Sequence, residues 1–337
     1  LLSFTVGSWA DQYGGLRVMA TGFAIGAIGI ASLPFVSSLI MMCFCFLLIG
    51  VAIAMCTYEV AFSTVVQIDE ARSRWLISVV SFYGGIASSV AWLILAPLLQ
   101  SQGFAAACLL SSGLLTLMCL ICVYHARRQN RPAISKETLA SFKLAALTRT
   151  EKAALVILAS ASGFEYFAFA ATALFWISWF TDLFGDMRIA VGLAAIYGPF
   201  QVVGRLLEMW LARRIDARIT GLGAAIIAPL VLYSAQIADI RIAIITMAFF
   251  GISHGILTVT FGFVTNLYFR AAVYGRAKGL IAAPRAFGMA LGPLAAGLIY
   301  ANAPDYFMPS FIAASSLVAL LIALLLRLKP TNQIHRT

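Results

Sequence analysis

Long apolar runs separated by short polar segments dominate the chain. A helix needs about 20 apolar residues to cross a bilayer, and ten stretches reach roughly that length. They cover residues 17–36, 39–66, 75–99, 104–124, 152–178, 188–211, 219–238, 241–268, 278–300 and 307–327. The runs lack the period-two alternation of transmembrane β-strands. We therefore predict an all-α polytopic membrane protein, since helices satisfy their own backbone hydrogen bonds in lipid.

The polar segments divide the chain unequally. The first six residues are apolar and stop at Gly7, so we interpret them as the tail of a further span. Since the chain also lacks an initiator Met, we expect one span and most of another upstream. The domains that we predict are an incomplete N-terminal bundle (1–124), a basic central loop (125–151), a six-helix bundle (152–328) and a tail (329–337).

Basic residues fall on one side of the predicted spans. Of the 23 Lys and Arg residues, 20 lie in alternate connections or the tail, and the opposite connections carry only Arg188 and Arg241. The positive-inside rule places the basic side, with the central loop and the C-terminus, in the cytoplasm. We expect a bacterial inner membrane because the loops are short. The net charge of +10 then needs no nucleic-acid partner.

Composition supports this class. Apolar residues make up 62% of the chain and charged residues 11%, against about 45–50% and 25% in soluble domains. The mean hydropathy is +0.96. The six cysteines lie within apolar stretches, where they serve as small apolar residues. We find no phosphate-binding loop, zinc-binding helix or nucleophile elbow, so we expect no enzyme activity, cofactor or metal.

Two polar segments repeat a spacing. Residues 7–17 read GSWADQYGGLR and residues 204–214 read GRLLEMWLARR, with an acid four residues after the first glycine in each. Parallel halves joined by a basic loop resemble the major facilitator superfamily of secondary transporters. The first segment matches part of its loop signature, Gly-x-Leu-Ala-Asp-Arg-x-Gly-Arg-Arg. The matching residues are Gly7, Ala10, Asp11, Gly14 and Arg17, and Trp9, Gln12, Gly15 and Leu16 depart from it.

The resemblance implies a two-bundle fold in which the ten spans are helices 3 to 12 of a twelve-helix pattern. It also implies that each loop acid contacts the start of a helix in the opposite half and steadies the outward-open state. Asp11 would then lie near Arg276 and Lys278, and Glu208 near Arg72 and Arg74. Ordinary solvated loop charges are the alternative. The gating set is Gly7, Asp11, Gly14, Arg17, Gly204, Arg205, Glu208, Arg276 and Lys278.

Ionisable residues inside spans are costly and become candidates for function. Glu59, Glu165 and His254 lie on the three spans that, by the resemblance, line the cavity. Glu165 and His254 would form a proton site, or else an ion pair that locks two helices. Arg285 would meet an anionic substrate, or else snorkel to the surface.

Aromatic side chains offer stacking surfaces for a substrate. The candidates are Tyr58, Tyr166, Phe169, Trp176, Trp179 and Tyr197. We favour substrate contact for Tyr58 and Tyr166, because each adjoins a buried glutamate. Trp and Tyr near the ends of spans are more often interfacial anchors.

Glycines on two spans predict close helix packing. They are Gly22, Gly26 and Gly29 on one span, and Gly288, Gly292 and Gly297, with Pro293, on the other. The run from Gly288 to Pro293 resembles the Gly-x-x-x-Gly-Pro signature of antiporters. In that group, however, the signature lies on an earlier helix.

We predict a monomeric secondary transporter that moves a small organic molecule by alternating access, coupled to protons, with efflux slightly favoured. Uptake of a small organic anion, with Arg285 or His254 as countercharge, is the alternative. A sensor or scaffold that does not transport is a further one.

Overall fold

A computed structural model describes residues 2–128, 147–211, 214–270 and 273–331. In these ranges the structure is helical and contains no β-strand. Most of the predicted central loop (129–146) and the end of the tail (332–337) lie outside the described residues. In chain order the helices are α1 (Leu2–Tyr13), α2 (Gly15–Ser32), α3 (Leu39–Cys56), α4 (Tyr58–Ile68), α5 (Ser73–Arg128), α6 (Arg149–Phe184), α7 (Met187–Leu211), α8 (Ala217–Ser234), α9 (Ile240–Tyr268), α10 (Tyr274–Asn302) and α11 (Phe307–Leu326).

Within the described ranges, nine helical segments are long and apolar enough to cross a membrane. They coincide with nine of the ten expected spans. The remaining span, 75–99, is helical and forms the first part of α5. The axis of α5 breaks at Gly103, whose φ of 81° is a conformation that glycine adopts without steric cost.

Two local details differ from a simple pattern of uninterrupted spans and loops. The helix that we expected to end at Gly7 continues to Tyr13, and Gly14 alone separates it from α2. Gly14 has a φ of 87°, which makes this sharp turn without a Cβ clash. The expected span 39–66 is interrupted at Thr57, whose backbone is extended. The Thr57 hydroxyl donates to Glu59 Oε2 at 2.8 Å, a local bond that competes with continuous helix.

The helix termini follow capping chemistry. Thr148 and Glu151 form a capping box at the start of α6, with the Thr148 N–H donating to Glu151 Oε2 at 2.8 Å. Asp216 and Asp239 accept hydrogen bonds from the first N–H groups of α8 and α9. Gly185 ends α6 in the left-handed conformation. These polar residues fix where the apolar segments begin and end.

The chain divides into two compact units. The first comprises Leu1–Glu70, Ile86–Ala146 and Arg270–Gly279, and the second comprises Ala71–Gly85, Leu147–Phe269 and Leu280–Thr337. The second unit has an aromatic core that includes Trp176, Phe180, Phe250, Phe307 and Phe311. The first has a smaller core around Val6, Val18, Met55 and Val60. The four domains that we expected from the sequence stay a prediction.

Glycines set the helix spacing in the second unit. A Cβ at Gly288 or Gly292 of α10 would clash with the carbonyl oxygens of Gly163 and Phe167 on α6. A Cβ at Gly251 or Gly255 of α9 would clash with the carbonyls of α7. Gly297, by contrast, has only an ordinary 3.8 Å approach to Phe175. Both helix pairs therefore pack backbone against backbone.

The same principle applies in the first unit. Gly22 and Gly26 on α2 face Met55 and Ala52 of α3, and Gly29 faces the side chains of Ile49 and Leu48. These small residues let α2 and α3 approach closely. Cys45, Cys108 and Cys122 are buried free thiols.

Candidate functional site

A buried contact between a glutamate and a histidine joins α6 and α9 in the second unit. His254 Nδ1 lies 2.8 Å from Glu165 Oε1, and both side chains are less than 10% exposed. The close packing of α9 on α7 through Gly251 and Gly255 fixes the helix that carries His254. Because burial penalises both charges, the pair persists only where each group compensates the other.

Aromatic rings enclose the imidazole. Phe169 stacks on His254 with centroids 3.9 Å apart, and Tyr166 and Tyr197 approach the ring at 5.8 and 6.1 Å. Gln201 Nε2 donates to Tyr197 Oη at 2.8 Å, which orients that phenol. Phe169 follows Glu165 by four residues, which places both on one face of α6. That spacing was the available sequence signal for Phe169. The role of Tyr197 depends on how α7 packs.

A small cavity adjoins the pair. It has a volume of about 20 Å³ and is lined by Glu165, Phe169, Ser253, His254 and Ser315, among others. This is enough for one water molecule. Among the described residues, Glu165 Oε2 is buried without a hydrogen-bond partner. The second carboxylate oxygen therefore retains acceptor capacity that the ion pair does not use.

Arg285 stands at the edge of the same group. Its guanidinium carbon lies 4.7 Å from the centroid of the Tyr166 ring, within cation–π range. A Cβ at Gly163 would lie 3.2 Å from Pro284, and this close approach holds α10 against α6 at that level. The structure thus brings Glu165, Tyr166, His254 and Arg285 together, which combines one acid, one imidazole and one permanent cation in a largely aromatic setting.

Glu59 and Tyr58 lie in the first unit. Glu59 occupies the first turn of α4, where the helix dipole favours a carboxylate. Tyr58 stacks on Phe62 with centroids 5.2 Å apart. Lys278 is buried and its Nζ lies 5.9 Å from the centroid of the same Phe62 ring.

Asp11 contacts the start of α10 within the first unit. Its two carboxylate oxygens accept the N–H groups of Gly275 and Arg276, each at 2.9 Å, and Gln67 Nε2 donates to it at 3.3 Å. The contact requires glycine, since a Cβ at Gly7 would clash with the carbonyl of Gly275. Asp11 therefore caps a helix that is remote in sequence.

The setting of Asp11 changes its acidity. The residue lies in α1, outside the nine apolar helices, and is 2% exposed. Burial raises the pKa of Asp11 to about 7, although the two N–H donors, the Arg276 charge and Gln67 act in the opposite direction.

Glu208 contacts the start of α5 within the second unit. Its Oε1 lies 2.7 Å from Arg74 Nη2 and 3.3 Å from Arg74 Nε, and the side chain is fully buried. Arg205 supports this contact by donating to the Ser81 carbonyl at 2.6 Å. A Cβ at Gly204 would clash with the Ile252 carbonyl on α9. Arg72 is exposed and Arg17 lines a groove elsewhere in the first unit.

The sequence matches one family model. The model describes the Major Facilitator Superfamily and covers residues 1–283. The chain belongs to the Major Facilitator Superfamily. As a member, it is an integral, multi-pass membrane transporter. A search of curated proteins gave no match.

Solved structures of Major Facilitator Superfamily members share this fold at low sequence identity. A double-tryptophan mutant of XylE gives a TM-score of 0.76 at 12% identity, over 99% of this chain and 85% of that one. The E. coli fucose:proton symporter FucP gives 0.72 at 14%, over 96% and 87%. The human organic anion transporter MFSD10 gives 0.70 at 16%, over 96% and 80%.

Proposed function

We propose that this transporter couples the movement of a small organic molecule to protons, and that Glu165 and His254 carry the proton. The buried pair at 2.8 Å is the observation that supports this most directly. The fold likeness to FucP, described as a fucose:proton symporter, and to XylE, described as a proton:xylose symporter, also favours coupling.

The chemistry follows from the number of protons that the pair holds. With one proton the pair carries no net charge, whichever of the two groups holds it. A second proton makes the site positive, and removal of both makes it negative. Each change places net charge in a poorly solvated site, which is costly. A cargo group whose charge compensates one of these states therefore binds best when the pair holds the corresponding number of protons.

The surroundings suggest the kind of cargo. Tyr166, Phe169 and Tyr197 present ring faces, and Gln201 and Arg285 add polar groups at the margin. Stacking surfaces with a few placed polar groups suit a small organic molecule. We propose Glu59 as an assisting acid, because it is an ionisable group at the interruption of an apolar helix.

Uptake of a small organic anion is the second candidate, and the position of Arg285 over Tyr166 favours it. A guanidinium binds carboxylates in a bidentate manner. The fold likeness to MFSD10, described as an organic anion transporter, is consistent with this candidate. Efflux, which the run from Gly288 to Pro293 suggested, remains the first candidate for direction. A sensor that binds but does not transport is the third reading.

We propose that Asp11 and Glu208 steady one end state of the transport cycle, as the family resemblance implies. Their contacts with the first turns of α10 and α5 support this role. The charge asymmetry of the connections supports a cytoplasmic location for these contacts, for the central loop and for the C-terminus. We further propose a monomer in a bacterial inner membrane.

The first experiment identifies the cargo class. The purified protein is screened by thermal shift against organic acids, sugars, amino acids and lipophilic cations, at about pH 5.5 and about pH 8, either side of histidine titration. A hit at one pH favours coupling. Flux of that hit into or out of proteoliposomes then separates uptake, efflux and sensing.

The second experiment assigns the proton. We expect Glu165→Gln to abolish accumulation driven by a pH gradient while exchange of labelled for unlabelled cargo persists, because exchange needs no net proton release. Glu151→Gln serves as the control, since it removes the same charge from the first turn of the same helix, and glutamine can still occupy this capping-box position. Accumulation that survives Glu165→Gln contradicts the proton assignment.

A further inference from the structure

A groove runs between α2 and the last turns of α5 in the first unit. Its volume is about 450 Å³, and Arg17 and Arg127 flank one end. Thr21, Ala24, Cys119 and Val123 continue the walls away from the arginines. Arg17 to Ala24 spans seven residues, so the groove extends for about 10 Å along α2 at 1.5 Å per residue. It is therefore cationic at one end and largely apolar along its length.

The two arginines have no side-chain partner within the part of the chain that the structure describes. Among the described residues, neither guanidinium has a hydrogen bond or an ion pair. Arg218 provides a comparison, since it lies at the start of α8 as Arg17 lies at the start of α2. Its Nη2 lies 2.7 Å from Asp216, and its Nη1 donates to the Leu328 carbonyl at 2.9 Å. Protein acceptors neutralise the charge of Arg218, whereas the charge of Arg17 faces the groove.

The neighbouring surface has the character of a membrane boundary. The Arg128 guanidinium lies 4.4 Å from the centroid of the Tyr124 ring at the same end of α5. Aromatic and basic residues are enriched where helices meet lipid headgroups. Further along, Ile28 on α2 and Leu120 on α5 are each 61% exposed, as expected for helices that face acyl chains.

We propose that this groove binds one anionic phospholipid of the cytoplasmic leaflet. The lipid phosphate contacts Arg17 and Arg127, and one acyl chain lies along Thr21, Ala24, Cys119 and Val123. The location in that leaflet rests on the orientation proposed above. A zwitterionic lipid fits less well, because its own ammonium competes with the arginines for the phosphate. A soluble phosphate would leave the apolar length of the groove unfilled.

Native mass spectrometry of the purified chain tests this with phosphatidylglycerol and phosphatidylcholine of identical acyl chains. A basic residue near an anionic surface contributes about 1 kcal/mol. The double variant Arg17→Gln, Arg127→Gln should therefore bind phosphatidylglycerol about 25-fold more weakly, with phosphatidylcholine binding unchanged. The matched control Arg188→Gln, Arg241→Gln removes two exposed arginines from other connections and should behave as the unmodified protein.

A second variant tests the apolar half of the groove. Ala24→Trp fills it and leaves both arginines, so we expect phosphatidylglycerol binding to fall while binding of glycerol phosphate stays negligible. Three outcomes overturn the proposal. They are equal binding of the two lipids by the unmodified protein, full phosphatidylglycerol binding by the double variant, and a dimer that Ala24→Trp dissociates, which would make a second copy the occupant.

Discussion

The Asp11 and Glu208 contacts repeat one arrangement with different chemistry. In each unit a buried carboxylate meets the first turn of a helix that is remote in sequence. Asp11 is held by backbone N–H groups and an amide, whereas Glu208 is held by the guanidinium of Arg74. The partners of Asp11 are mainly partial charges of the helix terminus, and the partner of Glu208 is a permanent cation. Similar spacing in sequence therefore does not imply equal sensitivity to pH or mutation.

The difference has an electrostatic consequence. Partial charges compensate a buried carboxylate less completely than a full charge at hydrogen-bond distance does. Burial accordingly raises the pKa of Asp11 to about 7. We expect the Asp11 contact to respond to pH, and the Glu208 contact to depend on the presence of Arg74.

The largest expected effect is at Arg74. Arg74→Met leaves the fully buried Glu208 without its countercharge. We expect a loss of about 3–5 kcal/mol, which is typical when one partner of a buried pair is removed. Thermal unfolding in detergent measures it.

Two further variants sharpen the Arg74 prediction. Adding Glu208→Leu should recover much of the loss, because the orphaned charge is then gone. Arg72→Met removes an exposed arginine two residues away and should cost at most about 1 kcal/mol. Equal losses for Arg72→Met and Arg74→Met would show that the pair of Arg74 and Glu208 does not stabilise the protein.

The second largest effect is expected at Gly7, where the backbones of α1 and α10 approach closely beside Asp11. Gly7→Ala places a Cβ against the rigid carbonyl of Gly275, so we expect a loss of about 1–3 kcal/mol. Gly50→Ala is the control, since its added Cβ meets no atom within 4 Å. That control should be neutral or stabilising by up to about 1 kcal/mol. A Gly7→Ala protein as stable as the control would mean that α1 and α10 do not approach this closely in solution.

Hydropathy alone predicted much of the fold. An apolar run of about 20 residues can satisfy its backbone hydrogen bonds in lipid only as a helix, so the positions of the spans follow from hydropathy. The break at Thr57 did not follow, because residues 39–66 are apolar throughout and the interruption depends on one local hydrogen bond. The loop that we expected is replaced by a sharp turn at Gly14. This turn depends on the positive φ of one glycine, which hydropathy does not reveal.

The candidate site was predictable residue by residue and not as a whole. Glu165 and His254 were identified because ionisable groups are rare inside spans. Their pairing was expected from the cavity helices that the family resemblance implies, whereas the 2.8 Å distance depends on how α6 and α9 pack. Tyr197 was named among the possible stacking side chains but was not favoured, and its ring lies 6.1 Å from His254. Its position depends on the approach of α7 to Gly251 and Gly255.

The third effect is the pH dependence of the Asp11 contact. Between the ordinary carboxyl pKa near 4 and the raised pKa of about 7, the buried Asp11 holds a proton that an exposed Asp11 would release. Burial of Asp11 therefore favours the folded protein most at low pH, and this contribution declines by at most about 1.4 kcal/mol per pH unit as pH rises to about 7. Asp11→Asn should flatten the profile of melting temperature across that window.

Asp305→Asn is the matched control for this pH profile. It makes the same change at an exposed aspartate and should retain the unmodified pH dependence. Identical slopes for Asp11→Asn and the unmodified protein would show that Asp11 does not titrate in this range.

The smallest expected effect distinguishes the side-chain amide of Gln67 from the first N–H groups of α10 as partners of Asp11. Gln67 donates to Asp11 at 3.3 Å and to the Ala10 carbonyl at 3.2 Å, both long hydrogen bonds, so Gln67→Leu should cost only about 0.5–1 kcal/mol. Because this donor favours the charged carboxylate, its loss should raise the pKa of Asp11 further and move the end of the pH-dependent window upward. Gln236→Leu, at an exposed glutamine, should leave the window in place. An unchanged window in Gln67→Leu would assign the charge compensation to the start of α10, that is, to the N–H groups of Gly275 and Arg276 and the Arg276 charge. Glu208, by contrast, is held by the guanidinium of Arg74.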